Sequence, residues 1–287
     1  MPNWSHLVRF RAKEDGQIHL GQLVDTERDV GLDSVSGREI KAYLINGDAF
    51  NGSVTAHILT VEALLSPITR EQCSYIRCLG LNYKDHAAEG GFALPEEPEL
   101  FTKPRTALMG PFPEAVTIPK CAQDGSSDYE AELCIVIGAT GRDIPEDKAL
   151  DHVLGFTASN DISARTLQLK TKQWCFGKGL DNSCPIGPVL VSPAAIGNAD
   201  ALSIKTLYQG NTVQDSHTSK MIFSVRKQIA LLSRGTTLEA GTIILTGTPP
   251  GIGYFRQPRV VLEDGGRVDV HIEKIGTLVN VVKYEAL

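Results

Sequence analysis

Two glutamates at alternate positions beside an apolar run are the first residues whose spacing suggests chemistry. Glu130 and Glu132 lie in the sequence DYEAE and are followed by the apolar residues 133–137, LCIVI. Alternate side chains of a strand point to the same face, so this spacing places both carboxylates side by side next to a buried segment. Two buried carboxylates repel each other unless one is protonated or a cation lies between them. An edge strand with both acids in water is the alternative.

A third carboxylate comes at the end of another apolar segment. Residues 153–161, VLGFTASND, end in Asn160 and Asp161, and an aspartate after a buried strand is well placed to bind a cation. Arg165 and Gln168 follow three positions apart and share one side of a helical turn. The alternative is an N-capping aspartate on an amphipathic helix, with Arg165 and Gln168 in solvent. Oxygen ligands favour Mg²⁺ or Mn²⁺, with Ca²⁺ as a third candidate, over zinc or copper.

These segments resemble the signature of the fumarylacetoacetate hydrolase superfamily. The resemblance runs from about Cys78 to the C terminus, in the family's order, through the segments GLNYKDHAAE, FTKP, DYEAE, SNDISARTLQ, GK, CPIGP, MIF and TGTP. It implies one Mg²⁺ or Mn²⁺ held by Glu130, Glu132 and Asp161. It also implies a mixed β-sheet roll around the metal, with helices at the periphery, and a homodimer that forms through the catalytic domain.

The elements that must position these residues are mostly strands, so we expect an α+β, strand-dominated protein. The hydrophobic pattern predicts strands at 133–137, 189–191, 243–246 and 268–272, and helical stretches at 60–65, 165–172 and 224–232. Short alternating segments before Pro67 indicate a small β-rich N-terminal subdomain over residues 1–70. Residues 71–287 would then form the catalytic domain.

Composition restricts the class of protein. The chain has 287 residues, of which 42% are hydrophobic, and this permits a sizeable core. It has no apolar run of transmembrane length and no signal-peptide core at its start, so we expect a cytoplasmic protein without membrane contact, with the mitochondrion left open. The net charge of −6, without a cluster of Lys and Arg, argues against a nucleic-acid partner.

Two further patterns argue against other cofactors. Six cysteines without a C-x-x-C pair indicate reduced thiols, with neither a disulfide nor a zinc site. The glycine-rich residues 247–253, GTPPGIG, contain prolines where a phosphate-binding loop needs free backbone N–H groups. A nucleotide cofactor is therefore not expected.

A hard cation on three carboxylates has open coordination positions, which suggests a 2-oxo acid as the substrate. Such an acid can chelate the cation through its carboxylate and keto oxygens, which polarises the carbonyl and stabilises an enolate at C3. Hydrolytic cleavage of a β-diketone, decarboxylation of a β-keto acid, and isomerisation or hydration of a dienol can all use this enolate. The remaining polar residues must therefore determine the reaction.

His86 and Glu89 favour hydrolysis. At positions i and i+3 of a short helix they can hydrogen-bond, and a carboxylate that orients an imidazole makes it a better base toward water. Gly90 and Gly91 follow and would supply the hinge of a closing lid. The alternative is an ordinary polar pair on a surface turn. The resemblance adds that superfamily members without this pair tend not to be hydrolases.

Other polar candidates follow from the resemblance. Lys178, between two glycines, would contact the substrate or the metal shell, whereas its alternative is a loop lysine in solvent. Thr248, in TGTP, would offer its hydroxyl and N–H to the substrate carboxylate, whereas its alternative is a turn that ends a strand. The set is completed by Tyr83, Asn160, Arg165 and Gln168.

Together these residues predict a Mg²⁺- or Mn²⁺-dependent hydrolase that cleaves a C–C bond in a 2,4-dioxo acid, such as an acylpyruvate or a fumarylacetoacetate-like compound. Its catalytic residues would be His86, Glu89 and Lys178. The alternatives are an oxaloacetate-type β-keto acid decarboxylase, an isomerase or hydratase of 2-oxo-dienoate catabolism, and a metal-binding scaffold without activity. We expect a homodimer that binds a small anionic 2-oxo acid.

Overall fold

Strands dominate the computed structural model, which describes residues 2–286. In chain order they are β1 (His6–Ala12), β2 (Ile18–Leu23), β3 (Lys41–Asn46), β4 (Ser53–Leu65), β5 (Ile76–Gly80), β6 (Glu99–Lys103), β7 (Leu108–Met109), β8 (Val116–Ile118), β9 (Ser127–Asp128), β10 (Ala131–Ile137), β11 (Gly141–Arg142), β12 (Val153–Asn160), β13 (Ser163–Ala164), β14 (Cys184–Val191), β15 (Ser203–Tyr208), β16 (Asn211–His217), β17 (Thr237–Leu238), β18 (Ile243–Leu245), β19 (Arg267–Ile272) and β20 (Gly276–Tyr284). The prediction of a strand-dominated α+β fold is confirmed.

The helices in this part of the chain are short. They are α1 (Val30–Ser36), α2 (Lys84–Gly90), α3 (Arg165–Leu169), α4 (Cys175–Lys178), α5 (Pro193–Ile196) and α6 (Val225–Leu232), with 3₁₀ turns at Arg105–Ala107, Lys120–Ala122, Glu146–His152 and Thr218–Lys220. The helix predicted at 224–232 is α6, which begins after Ser224 because the Ser224 hydroxyl accepts a hydrogen bond from the Lys227 N–H at 3.3 Å. No helix among residues 2–286 is long and apolar enough to cross a membrane.

Two mixed sheets organise these strands. The large sheet has the order β2-β3-β4-β1-β14-β12-β10-β18-β5-β6, with β7 beside β14, and the second has the order β16-β15-β19-β20-β8. Most neighbours are antiparallel, whereas β18–β5, β14–β7 and β20–β8 are parallel. The largest apolar cluster contains Phe156 of the large sheet and Ile204 and Val270 of the second, so both sheets contribute to one core.

The central strands of the large sheet are buried along their whole length. Every residue of β10, β12 and β14 is buried, in agreement with their nearly continuous apolar sequences. Four of the six cysteines are buried and all six are free thiols. The charged residues that flank β10 and β12 are therefore held at the end of a rigid, dry scaffold.

The helix-like stretch at 60–65 is a strand, so this prediction is wrong. Residues 53–65 form β4, which pairs with β1 on one side and β3 on the other. A β-bulge at Glu62 lets Ala12 pair with Val61 and Arg11 with Ala63. Because the bulge shifts the alternation of side chains, the buried residues Val61 and Leu64 fall three positions apart, and this imitates a helical period.

The first four strands continue the large sheet. β1 pairs with β14 at His6 and Leu7, and α1 packs against β20. Gly31 of α1 permits this packing, since a Cβ there would collide with the Thr277 carbonyl. The division between an N-terminal subdomain at 1–70 and a catalytic domain at 71–287 stays a prediction.

Candidate active site

The start of β10 and the end of β12 bring the three predicted carboxylates together. These strands are antiparallel with Ala131 opposite Asn160, and the Asp161 N–H donates to the Glu130 carbonyl at 2.8 Å. The Glu130 N–H in turn donates to Oδ1 of Asn160 at 2.9 Å. One carboxylate oxygen from each of Glu130, Glu132 and Asp161 lies within 4.8 Å of the others, and all three residues are buried.

Two buried cations pair with Glu130 and Asp161. The Lys178 ammonium, at the end of α4, lies 2.6 Å from Glu130 and 2.7 Å from Asp161. The Arg165 guanidinium, at the start of α3, lies 2.7 Å from Glu130 and 2.8 Å from Asp128. Both residues are buried, so the alternative in which they lie in solvent is wrong. Charges as deeply buried as these persist only when they are paired.

A glycine allows Lys178 to reach this position. A Cβ at Gly177 would collide with the backbone of Gln168, so only glycine lets α4 lie directly against α3. The sequence places Lys178 between two glycines, and the resemblance implies contact with the substrate or the metal shell. At Gly177, however, the partner in close contact is the neighbouring helix, which brings Lys178, Arg165 and Gln168 to one place.

Lys103 is a third buried cation that the sequence analysis did not select. Its ammonium lies 2.7 Å from Oδ1 of Asp161 and donates to the carbonyls of Ile162, Ser183 and Lys178. Lys103 thus connects Asp161, a candidate metal ligand, with the end of α4, where Lys178 lies. The segment FTKP contained a signal for this residue. A lysine within an apolar strand is expected to be buried, and a buried ammonium needs a charged or polar partner.

Asp128 and Gln214 were also missed. Asp128 continues the alternation of Glu130 and Glu132 by one step, and it accepts hydrogen bonds from Arg165 Nε at 2.9 Å and from the Gly253 N–H at 2.8 Å. Gln214, on β16, donates to the Thr248 hydroxyl at 2.9 Å and accepts from the Ala131 N–H at 3.0 Å. Its buried amide therefore links the TGTP segment to the start of β10.

The two glutamates differ in their electrostatic surroundings. Burial, with Asp161 and Glu130 nearby, raises the pKa of Glu132 well above its usual value, although the Gly247 N–H donates to this carboxylate at 2.5 Å. Burial would also raise the pKa of Glu130, but Lys178 and Arg165 outweigh this effect and lower it. Burial would lower the pKa of Lys178, whereas Asp161 and Glu130 raise it. Lys178 is therefore an ammonium at neutral pH.

These residues fit a divalent metal ion. The donors are carboxylate oxygens, as a hard cation requires, and they converge within the distance that one ion can bridge. Glu132 has no ion pair with any residue in the described range 2–286, and the two charges that affect its pKa most, Asp161 and Glu130, are negative. A cation beside Glu132 would therefore relieve a repulsion that the buried lysines and arginine leave in place.

The predicted His86–Glu89 pair forms on a short helix at the cavity. Nδ1 of His86 lies 3.1 Å from Oε2 of Glu89, and the Gly251 N–H donates to the same oxygen at 3.2 Å. At the other end of α2, Asp85 binds the Ser216 hydroxyl at 2.6 Å and the Lys220 ammonium at 3.0 Å. Contacts to two separate segments therefore hold α2 over the cavity.

A cavity of about 300 Å³ connects the charged cluster with the surface. Its buried end is polar and contains Glu130, Arg165, Gln168, Lys178 and Thr248, and His86 also lines the cavity. The rest of its lining is mostly apolar and includes Leu79, Phe92, Phe101, Leu169, Trp174, Ile252 and Phe255. Tyr83 does not line it. This side chain lies fully buried in the main core, where burial raises its pKa well above the usual value.

Comparison with known proteins places the chain in a family. Residues 75–283 match the model of the fumarylacetoacetate (FAA) hydrolase C-terminal family, and the chain belongs to this family. A caffeoylpyruvate hydrolase from Neonothopanus nambi is 44% identical over 98% of this chain and 94% of its own length. A mitochondrial oxaloacetate tautomerase, fahd2 from Xenopus laevis, is 42% identical over 79% of this chain and 70% of its own length.

Solved structures agree with this assignment. A 2-hydroxyhepta-2,4-diene-1,7-dioate isomerase from Mycobacterium marinum has a TM-score of 0.80, with 30% identity over 99% of this chain and 100% of its own. A fumarylpyruvate hydrolase from Pseudomonas aeruginosa, in complex with Mn²⁺ and pyruvate, has a TM-score of 0.67, with 33% identity over 74% of this chain and 91% of its own. The predicted superfamily and its fold are therefore confirmed, and the chain belongs to a family of enzymes that includes hydrolases and isomerases.

Proposed function

We propose that this protein is a Mg²⁺- or Mn²⁺-dependent hydrolase that cleaves the C3–C4 bond of a 2,4-dioxo acid, an acylpyruvate. The observation that carries the proposal is the His86–Glu89 pair, with 3.1 Å between Nδ1 and Oε2, on a helix that lines the same cavity as Glu130 and Lys178. A base next to a binding site for a 2-oxo acid is what water attack on the distal carbonyl requires. The relative named caffeoylpyruvate hydrolase supports the same reaction class.

Glu130, Glu132 and Asp161 would hold the divalent ion. When bound there, it supplies Lewis-acid polarisation of the 2-oxo group. The printed description of the Pseudomonas structure, with Mn²⁺ and pyruvate, supports both the metal and the kind of ligand. Mg²⁺ and Mn²⁺ share the preference for oxygen donors, so the donor set does not distinguish them.

The chain's own residues would bind the substrate and move the protons. Arg165, Gln168 and Thr248 would hold the substrate carboxylate at the buried end of the cavity. His86, oriented by Glu89, would take a proton from the attacking water and return it to C3 as the bond to C4 breaks. The Lys178 ammonium, fixed by two carboxylates, would stabilise the negative charge that develops on the 2-oxo oxygen.

Oxaloacetate conversion is the second candidate. The relative named oxaloacetate tautomerase favours it, and a small β-keto acid could use the polar end of the cavity in the same way without an attacking water. In that case His86 would act on a carbon-bound proton or have no part in the reaction. The two candidates therefore differ in the role of the helix that carries His86.

A substrate panel tests the proposal. Purified protein with Mg²⁺ is offered short and long acylpyruvates, oxaloacetate and 2-oxo-dienoates, and pyruvate and the released carboxylic acid are quantified. We expect acylpyruvate cleavage that EDTA abolishes and that Mg²⁺ or Mn²⁺ restores. Turnover of oxaloacetate without acylpyruvate cleavage would contradict the hydrolase assignment, as would full activity in excess chelator.

We also propose a homodimer and leave the compartment as a prediction. A strand-rich chain has reason to cover its sheet edges, and the superfamily resemblance implies pairing of catalytic domains. Light scattering at micromolar concentration should give twice the chain mass of 31.0 kDa. The sequence favours the cytoplasm, whereas the Xenopus relative is described as mitochondrial.

A further inference from the structure

Aromatic side chains from separate segments converge at the mouth of the active-site cavity. Phe92 follows α2, Trp174 precedes α4, and Phe255 lies in the loop after β18. Phe92 and Phe255 are each 61% exposed. Large apolar side chains that gather around one opening typically mark a surface that binds an apolar partner or ligand.

Glycines make room for two of these rings. A Cβ at Gly80 would lie 2.5 Å from Cζ3 of Trp174, and a Cβ at Gly90 would collide with the ring of Phe92. The backbone conformation of Gly80 is one that any residue can adopt, so a larger residue there would have to displace the Trp174 ring. The backbone is thus adapted to seat aromatic rings at the mouth.

A continuous aromatic wall leads from this mouth to the polar end. The Lys178 ammonium lies 5.0 Å from the centroid of the Phe101 ring. Phe101 in turn meets Trp174 edge to face, with a centroid separation of 5.6 Å and an interplanar angle of 63°. An acylpyruvate whose 2-oxo acid lies beside Lys178 would extend its acyl group along these two rings.

Glu99 is the polar group of this outer region. It is the first residue of β6, directly opposite Gly80, and a Cβ at Gly80 would lie 3.2 Å from its Oε2. Its carboxylate has no ion pair or hydrogen bond with any residue from 2 to 286. It therefore faces the cavity as a free acceptor beside the Trp174 ring.

The charges along the cavity are distributed unevenly. Among its described lining residues, the lysine and arginine side chains are Lys178 and Arg165, and both are at the buried end. Arg256 lines an adjoining cavity that shares Phe92 and Phe255 with this one, and its guanidinium donates to the carbonyls of Gly251 and Val213. On the Trp174 side of the cavity, an acyl chain that ends in a carboxylate would thus meet Glu99 with no lysine or arginine among the nearby lining residues, whereas a hydroxyl could donate to Glu99.

We propose that the outer half of this cavity is a subsite for an aromatic acyl group that carries a hydroxyl, with Glu99 as hydrogen-bond acceptor and as the charge that rejects dicarboxylic substrates. The proposal rests on the proposed function, because the acyl group is the part of the 2,4-dioxo acid that hydrolysis releases. Phe101 and Trp174 form the wall, and Phe92 and Phe255 close over the ring from the solvent side.

Binding of uncleavable 2-oxo acids tests this subsite. These ligands lack the 4-oxo group, and calorimetry with Mg²⁺ measures their affinity without turnover. We expect the order 4-(4-hydroxyphenyl)-2-oxobutanoate, 2-oxo-4-phenylbutanoate, 2-oxobutanoate and 2-oxoadipate, from tightest to weakest. Glu99→Gln should weaken the hydroxyphenyl ligand about 10-fold, as for a lost charged hydrogen bond, and strengthen 2-oxoadipate several-fold.

Two further variants separate the subsite from general effects. Glu97→Gln is the matched control, because Glu97 lies on the same segment but pairs with Arg234 at 2.6 Å and does not line the cavity. It should change none of these affinities. Gly80→Ala should displace Trp174 and weaken both aryl ligands while 2-oxobutanoate binds as before.

Equal affinity for 2-oxoadipate and the aryl ligands would overturn the proposal, as would unchanged affinities in Glu99→Gln. If the protein cleaves acetylpyruvate but binds aryl ligands no better than 2-oxobutanoate, the subsite is wrong and the hydrolase assignment stands. If the predicted order of affinities holds and no acylpyruvate is cleaved, the subsite stands and the hydrolase assignment is wrong.

Discussion

The two ends of the cavity are built on opposite principles. At the buried end, the cations Lys103, Arg165 and Lys178 each contact at least two partners, so the position of every carboxylate except Glu132 is fixed by a cation. At the outer end, aromatic rings are seated on glycines, and Glu99 has no polar partner among residues 2–286. Preorganised charge suits a common chemical step, whereas an apolar aromatic surface suits an acyl group that differs between substrates.

Substitution of Asp161 should have the largest effect. Asp161→Ala removes a metal ligand and leaves Lys103 and Lys178 without a shared carboxylate, so activity should fall by at least about 10³-fold. The loss of a buried ion-pair partner should also lower stability by about 3–5 kcal/mol. Phe255→Ala, at the outer end, should retain both metal binding and the melting temperature. Manganese titration and thermal melts check this contrast, and equal losses in the two variants would contradict it.

Substitution of His86 should have the next largest effect, and it should be specific to one reaction. His86→Ala should reduce acylpyruvate hydrolysis by about 10²- to 10⁴-fold, because a general base is lost. Metal affinity should not change, since His86 contacts none of the three carboxylates. Steady-state kinetics on acetylpyruvate and oxaloacetate measure the difference. Intact acylpyruvate hydrolysis in this variant would remove His86 from the mechanism.

Lys103 should affect the metal site without touching the substrate. Lys103→Met removes the ammonium that orients Asp161 and should weaken Mn²⁺ binding by about 10- to 100-fold, as for other residues that position a metal ligand. Arg77→Met is the matched control, since Arg77 is a buried cation on the adjacent strand β5 that donates to the carbonyls of Leu232 and Thr237. It should lower the melting temperature and leave Mn²⁺ affinity unchanged. An equal loss of Mn²⁺ affinity in both variants would show that Lys103 stabilises the fold and does not position Asp161.

The smallest expected effect distinguishes the carboxylates within the polar end. The pKa of Glu132 is raised in the folded protein, so the folded state binds this proton more strongly than the unfolded chain. The contribution of Glu132 to stability therefore falls as the pH rises above the ordinary glutamate range. In EDTA at neutral pH, Glu132→Gln should raise the melting temperature, by about 2–4 °C for each 1 kcal/mol gained.

Asp161→Asn should shift the melting temperature in the opposite direction to Glu132→Gln. Asp161 is paired with two ammonium groups, so its neutralisation in EDTA should lower the melting temperature. Added Mg²⁺ should stabilise the wild-type protein more than either variant. A shift of the melting temperature in the same direction for both variants would contradict the claim that the surroundings disfavour a charged Glu132 and favour a charged Asp161.

The sequence predicts the polar end of the cavity better than the outer end, for physical reasons. Charged residues next to apolar strands, such as Glu132 and Asp161, are conspicuous because burial of a charge demands a partner. Phe92 and Trp174 are not conspicuous, since aromatic residues in loops are common and only the folded chain brings these two together. Lys103 lay within a recognised motif but was missed, because its carbonyl partners come from distant segments.

The same reasoning explains the outcome for the fold. The apolar runs that became β10 and β12 are long enough to identify strands, and the helical period of residues 224–232 identifies α6. The stretch 60–65 was misread because a bulge at Glu62 changes the side-chain period, and a bulge depends on pairing with β1 rather than on local sequence. Pairing partners of strands are set by tertiary contacts that the local pattern does not contain.

The fate of the water oxygen tests the central claim most directly. Acylpyruvate is incubated with the Mg²⁺-loaded protein in water labelled with heavy oxygen, and the products are analysed by mass spectrometry. Hydrolysis at the polar end, with His86 as the base, predicts one labelled oxygen in the carboxylate of the released acid, pyruvate as the other product, and no reaction in EDTA. Release of carbon dioxide, or an acid product without the label, would contradict it.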